Sequence, residues 1–200
     1  MMLGPAFSDP VHDSQRIFRQ ALGALAEPMR VVTLCVTPSC PADLSPACAA
    51  LLLTLLDQEV SLWVPPLDDG TRAWLTFHTG VRFAGQASDA DFVLFAAGDD
   101  ARRPDLATLK RGDSRFPDRS ATVICEVNGF CPGMGPVFDG PGFEHPRRLQ
   151  AQGCDEVFWT QWRNANTAFP HGIDVFFTAG DTFAGLPRST RPSQEESSCM

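Results

Sequence analysis

One lysine, Lys110, stands against fifteen arginines in this 200-residue chain. Catalysis through a lysine Schiff base, the usual anchor of pyridoxal phosphate, therefore has a single place to reside. Lys110 lies in the segment LATLKRGD, where a cation complements the C-terminal dipole of a short helix and keeps its solvent, so a solvated face is expected there rather than a cofactor anchor. Long hydrophobic runs are missing as well. None approaches the roughly 18 apolar residues a membrane span needs, and no basic segment followed by an apolar one opens the chain, so neither insertion nor export is expected and the cytoplasm is the expected compartment.

Other absences narrow the chemistry further. The seven cysteines, Cys35, Cys40, Cys48, Cys125, Cys131, Cys154 and Cys199, contain no C-x-x-C pair and no neighbouring pair of histidines, which leaves a closed zinc site unsupported. Cys35 and Cys125 fall inside apolar strand runs, where a free thiol behaves as a small hydrophobe, and the pattern suits a reducing compartment. Neither G-x-G-x-x-G nor G-x-x-x-x-G-K-[ST] occurs, so no nucleotide cradle is encoded. A net charge of −8 provides no basic stripe for nucleic acid. The arginine excess is expected to reflect coding bias rather than a set of phosphate clamps.

With 44% hydrophobic residues and 10% aromatics, the chain suits one α/β domain over residues 1–190, with residues 191–200 a polar, disordered tail. Its most informative stretch is FPHGIDVFFTAGDTFAGLPRST (Phe169 to Thr190). Ile173, Val175, Phe177 and Ala179 alternate onto one face, Phe176 makes the other partly apolar, Gly180-Asp181 forms a two-residue turn, and Pro187 ends the return strand. Earlier, a helix is expected over Ser14–Ala26, capped by Asp13, with Ile17, Phe18, Ala21, Leu22 and Leu25 as its core stripe. Ser45-Pro46 starts a second helix to Leu56, and a short one near Thr71–Phe77 stops at Gly80. Strands are expected at 31–36, 60–64, 81–87, 92–97 and 121–127, and helices at 104–111, 146–152 and 155–164. The Gly/Pro-rich passage Gly129–Gly142 reads as an irregular functional or interface loop, with a short strand at Val137-Phe138. Alternating strands and helices predict a three-layer α/β/α domain around a mixed sheet.

Several side chains could carry function. Asp13, Gln15, Arg19 and Glu27 share the first helix, either as an exposed polar face or as an oligomer contact, with Phe18 and Leu22 turned to the core. His78 could cap backbone carbonyls or face a partner. Arg188 could pair an acid inside the molecule or clamp an anion, and Asp174 belongs to the same polar cluster with His171 and Thr190. Gly140-Pro141-Gly142, with Arg147 and Arg148 behind, could offer amides to an anion, although a tight turn is the expected role. Cys131 and His145 would make a thiol nucleophile only if the fold joined them, and a free loop cysteine is expected.

Seven segments together carry a family resemblance: HDSQRIFRQALGALAEP (His12–Pro28), LLLTLLDQEVSLWV (Leu51–Val64), FHTG (Phe77–Gly80), SATVICEV (Ser120–Val127), DGPGF (Asp139–Phe143), FPHGID (Phe169–Asp174) and LPRST (Leu186–Thr190). In order and spacing they resemble the PhnH family, the H subunit of the bacterial carbon–phosphorus lyase core complex. The resemblance implies a fold similar to that of pyridoxal-phosphate-dependent transferases, while the placement of Lys110 and the lack of a ligand cluster lead to the expectation of no cofactor and no metal on this chain. It implies a homodimeric scaffold that joins G, I and J subunits. With the G and I subunits the family takes part in moving the ribose-triphosphate moiety of ATP to an alkylphosphonate, displacing adenine, and the iron–sulfur subunit J later cleaves the carbon–phosphorus bond. The surface expected to meet a partner or ligand comprises Arg19, Glu27, His78, Asp174 and Arg188, with no autonomous catalytic set, no nucleic acid and no membrane. Two other readings stay open, a free-standing transferase built from His78, Arg188 and the 129–142 loop, and a ligand-binding sensor.

Overall fold

A computed structural model of the chain describes residues 5–192. Its first element, helix α1 (Pro10–Ala26), begins one turn earlier than Asp13 would set it, because Asp9 caps it and Pro10 takes the first helical position. Asp9 accepts from the His12 amide at 3.2 Å while Asp13, now inside the helix, accepts from the Asp9 amide at 3.0 Å. Strand β1 (Val32–Thr33) is shorter than expected. Helix α2 (Pro46–Leu55), capped by Ser45, is apolar nearly all round and buried as its composition demands.

The next units alternate as read. Strand β2 (Ser61–Trp63) leads into helix α3 (Asp69–Thr79), whose Gly80 cap has the left-handed φ of 72°. Strands β3 (Arg82–Phe83), β4 (Phe92–Ala96) and β5 (Thr122–Glu126) follow. The expected helix over 104–111 is only a 3₁₀ turn, Leu106–Thr108. Leu106 and Leu109 are drawn into the core, and Ala121 donates to the Lys110 carbonyl at 2.8 Å, so tertiary contacts straighten the segment before a second helical turn can form.

Residues 129–152 depart furthest from the sequence reading. The passage expected to be irregular is strand β6 (Phe130–Asp139), and the expected helix over 146–152 is its antiparallel partner, strand β7 (Arg147–Ala151). The register steps from Pro132↔Leu149 to Val137↔Arg148, so residues 133–136 bulge out, with Gly133 and Gly135 at φ 79° and 78° and Met134 exposed at the crest. Helix α4 (Glu156–Ala165), capped by Asp155, then leads to strands β8 (Asp174–Ala179) and β9 (Thr182–Leu186), which form the expected hairpin around Gly180-Asp181. Arg191–Pro192, assigned by sequence to the tail, form strand β10 against β6; the remainder of that segment lies outside the described residues.

The main sheet has the order β1-β9-β8-β5-β4-β2-β3, parallel from β3 to β8 and antiparallel through β9 and β1. Alternate residues feed opposite faces. Leu94, Ile124 and Phe176 pack with α1, α2 and α3, whereas Val93, Phe95, Val123, Cys125, Val175 and Phe177 pack with α4 and the small β10-β6-β7 sheet. The third layer is therefore mixed rather than helical. Its centre is aromatic: Trp159 lies 5.4 Å from Phe138, 5.0 Å from Phe158 and 5.8 Å from Phe177, ring centre to ring centre. No helix among the described residues is long and apolar enough to cross a membrane.

Candidate functional site

The inner face of α1 is built from Ile17, Ala21 and Ala24. Phe18 and Leu22, expected inside, instead stand 45% and 53% exposed, with Val11 at 76%. The reason is the closeness of the sheet. Gly185 of β9 approaches so tightly that a Cβ there would sit 2.7 Å from the Ala24 carbonyl oxygen, and only small side chains fit beneath the helix. Val11, Phe18 and Leu22, spaced seven and four apart and interrupted by Gln15, thus form an outward apolar seam of the kind that pairs helices. Arg19 borders it, exposed and without a hydrogen bond or ion pair among the described residues. Glu27 ends the helix and accepts from Arg30 at 2.5 Å.

Beyond Glu27 the chain meets the β6–β7 turn. Arg147 donates to the Pro28 carbonyl at 2.5 Å and to that of Glu27 at 3.4 Å, putting its charge where the α1 dipole is negative. Arg148 donates to the Gly135 carbonyl at 3.0 Å. Phe143 closes a tight turn on the Gly140 carbonyl at 3.2 Å, and Gly142 rests against the end of α1. This is the tight-turn alternative: the loop is a docking element for α1, with both arginines turned to backbone. Cys131 lies on β6 beside Gln152, whose amide nitrogen is 3.2 Å from its sulfur, and no contact joins it to the exposed His145. Cys125 is fully buried, and burial pushes its thiol well above the usual range, as a core hydrophobe requires. Cys35 is exposed beyond the end of β1, contrary to expectation.

Arg188 and Asp174 meet at the N-terminal edge of the parallel sheet. The Arg188 amide and Nε each donate to Asp174 Oδ1, at 2.8 and 3.1 Å, Nη2 pairs with Oδ2, and Nη1 donates to the Pro117 carbonyl at 2.7 Å. Their side chains are 15% and 19% exposed. Such a pair ties strand β8 to the residues after β9 and to the 117–119 turn, and leaves little of either group for a partner. Asp174→Ala is expected to lower stability by about 3 kcal/mol, because the guanidinium is left largely buried without its carboxylate. Chemical denaturation checks this, and an unchanged midpoint would mean that the pair is ornamental.

At the same edge Lys110 bonds Asp91 at 2.7 Å, and Asp91 in turn accepts from the Ser61 hydroxyl at 2.7 Å. Burial pushes the Asp91 carboxyl up, but the bonds from Lys110 and Ser61 outweigh it and hold the group below its ordinary value. The lysine is thus committed to an ion pair rather than freely solvated. His78 makes no carbonyl cap. Its ring packs 4.9 Å from Trp74 and 5.0 Å from Phe77, its Nε2 is buried without a partner among the described residues, and burial pulls the imidazole below its ordinary value.

The fold does not gather the predicted residues into one site. His78 ends α3 beside edge strand β3, Arg188 lies beside β8, and those strands are separated by four inter-strand spacings, roughly 19 Å. The 129–142 passage occupies the opposite face. Sequence reading missed a cavity of about 250 Å³ at the C-terminal ends of β2, β4 and β5, lined in part by Asp43, Asp68, Asp99, Arg102 and Glu126. No local motif marks it, since its walls come from four separate stretches, 43–44, 64–68, 94–102 and 126. Among the described residues no group of three or more His, Cys, Asp or Glu side chains could hold a metal ion.

Comparison with known proteins agrees along the whole described length. The profile of the family described as "Bacterial phosphonate metabolism protein (PhnH)" matches residues 5–193. A Rhizobium meliloti (strain 1021) protein named "Alpha-D-ribose 1-methylphosphonate 5-triphosphate synthase subunit PhnH" is 32% identical over 192 residues, covering 95% of each chain. A Stutzerimonas stutzeri protein, "Putative C-P lyase subunit protein HtxG", is 34% identical over 181 residues, covering 88% of this chain and 84% of its own.

Proposed function

Because this chain belongs to the PhnH family of bacterial phosphonate metabolism proteins, we propose that it serves as a subunit of a carbon–phosphorus lyase complex, docking its partners rather than performing chemistry alone. In this reading the complex transfers the ribose-triphosphate moiety of ATP to an alkylphosphonate, and the chain acts as a cytoplasmic homodimeric scaffold for G, I and J subunits. It carries no cofactor. The transferase-like fold is kept, while its one lysine is tied to Asp91 at the sheet edge opposite the strand ends where α/β sheets receive ligands.

The outer face of α1 carries the reading. An apolar seam of Val11, Phe18 and Leu22, exposed beside Arg16 and Arg19, has the seven- and four-residue spacing of a helix-pairing face. Its occupant is a partner subunit rather than a second copy. A two-fold axis through Phe18 would set each Arg19 beside its own twin, whereas an acidic flank on another helix would satisfy it. The scattered positions of His78, Arg188 and residues 129–142 count against a free-standing transferase. Co-expression of the tagged chain with G, I and J subunits tests the proposal: all should co-purify, and elution of the chain alone would overturn it. Light scattering of the isolated chain should return twice the chain mass.

A further inference from the structure

The chain leaves β2 and β4 in opposite directions. From β2 it runs through α3, on the face shared with α1 and α2, out to β3; from β4 it runs through the 3₁₀ turn at Leu106–Thr108, on the other face, to β5. Where consecutive connections diverge in this way, the C-terminal ends of the strands are left uncovered and a crevice opens between them. The cavity of about 250 Å³ lies at that point. Leu44, Val64, Leu67 and Leu94 supply apolar walls, and all four belong to or pack on the core, which makes the cavity a fixed one.

Charge decides what such a crevice can hold. Asp43 accepts from the Thr71 hydroxyl at 2.8 Å, and Asp68 accepts from the amides of Gly70 at 2.8 Å and Thr71 at 3.3 Å. Two carboxylates thus converge on one buried threonine. Each keeps its second oxygen without a hydrogen bond among the described residues. Glu126 accepts from the Ser45 amide at 2.8 Å, and Asp99 lies 3.5 Å from Arg102, the one cation in the lining. A phosphonate or triphosphate would be repelled. A bare metal ion is a poor fit too, because no metal-holding group of side chains exists among the described residues and much of the wall is apolar.

We propose that this crevice binds a small organic amine, its ammonium seated between Asp43 and Asp68 and its carbon body against Leu44, Val64 and Leu94. The site is independent of the docking face on α1, so either can fail without the other. Calorimetric titration of the full chain near neutral pH with benzylamine, cyclohexylamine and putrescine, and with benzoate as the matched anion, tests it. At least one amine should bind saturably and benzoate should not. Asp43→Asn, which can still accept from Thr71, should weaken that binding about tenfold or more at an unchanged melting temperature. Ala96→Phe, which adds a ring at an exposed lining position, should abolish it. Absence of binding by all three amines, equal binding of benzoate, or amine binding that survives both variants would overturn the proposal.

Discussion

The Phe18→Asp, Leu22→Asp double variant is expected to melt close to the parent chain yet to enter the complex at least about a thousandfold more weakly. Both side chains are about half exposed, at 45% and 53%, so little core packing is lost. Anchors at the centre of an interface are each worth about 2 kcal/mol or more, and two of them give the stated factor. A buried charge would add to it on the partner's side. Ile17→Asp, one position away and fully buried, should instead unfold the protein, which separates a surface effect from a core one. Native-gel titration with the partner subunits, beside a melting curve, reads both; normal assembly of the double variant would mean that α1 is not the docking face.

Gly142→Val is expected to cost about 3–5 kcal/mol, the largest stability loss of any exposed position considered. Gly142 has a φ of 88°, where a β-branched residue is strained, and its Cβ would lie 2.4 Å from the Ala26 carbonyl oxygen and 2.7 Å from the Pro28 ring. Neither obstacle can swing aside, since one is backbone and the other a fixed ring. Gly133→Ala offers the control: φ is 79° but nothing lies within 4 Å, so only the backbone term of about 1 kcal/mol remains. Urea midpoints measure the difference, and similar losses for the two would show that the loop does not rest on α1.

The β8–β9 hairpin was readable because period-2 alternation, a Gly turn and a terminal proline all pointed to one structure. The face of α1 was not. Its large apolar residues suggested a core stripe, but whether a helix buries large or small side chains depends on how near its neighbour lies, and the approach of Gly185 to Ala24 is a fact of tertiary packing. Strand β7 was hidden for a related reason. Arg147, Arg148, Leu149, Gln150 and Ala151 are ordinary helix formers, and only pairing with the glycine-interrupted β6 makes them a strand. Asp174 and Arg188 could be placed in one polar cluster and on the expected partner or ligand surface, yet their mutual commitment appeared only once β8 and β9 were side by side. The crevice needed the strand order itself, which no window of sequence contains.

Adenine release from ATP in the presence of methylphosphonate tests the central claim most directly, measured with the purified chain alone, with its partner subunits, and with the partners in its absence. The account predicts no release from the chain alone, full activity from the complete set, and loss of activity when the chain is omitted or carries the Phe18→Asp, Leu22→Asp pair. Adenine release by the isolated chain would contradict it.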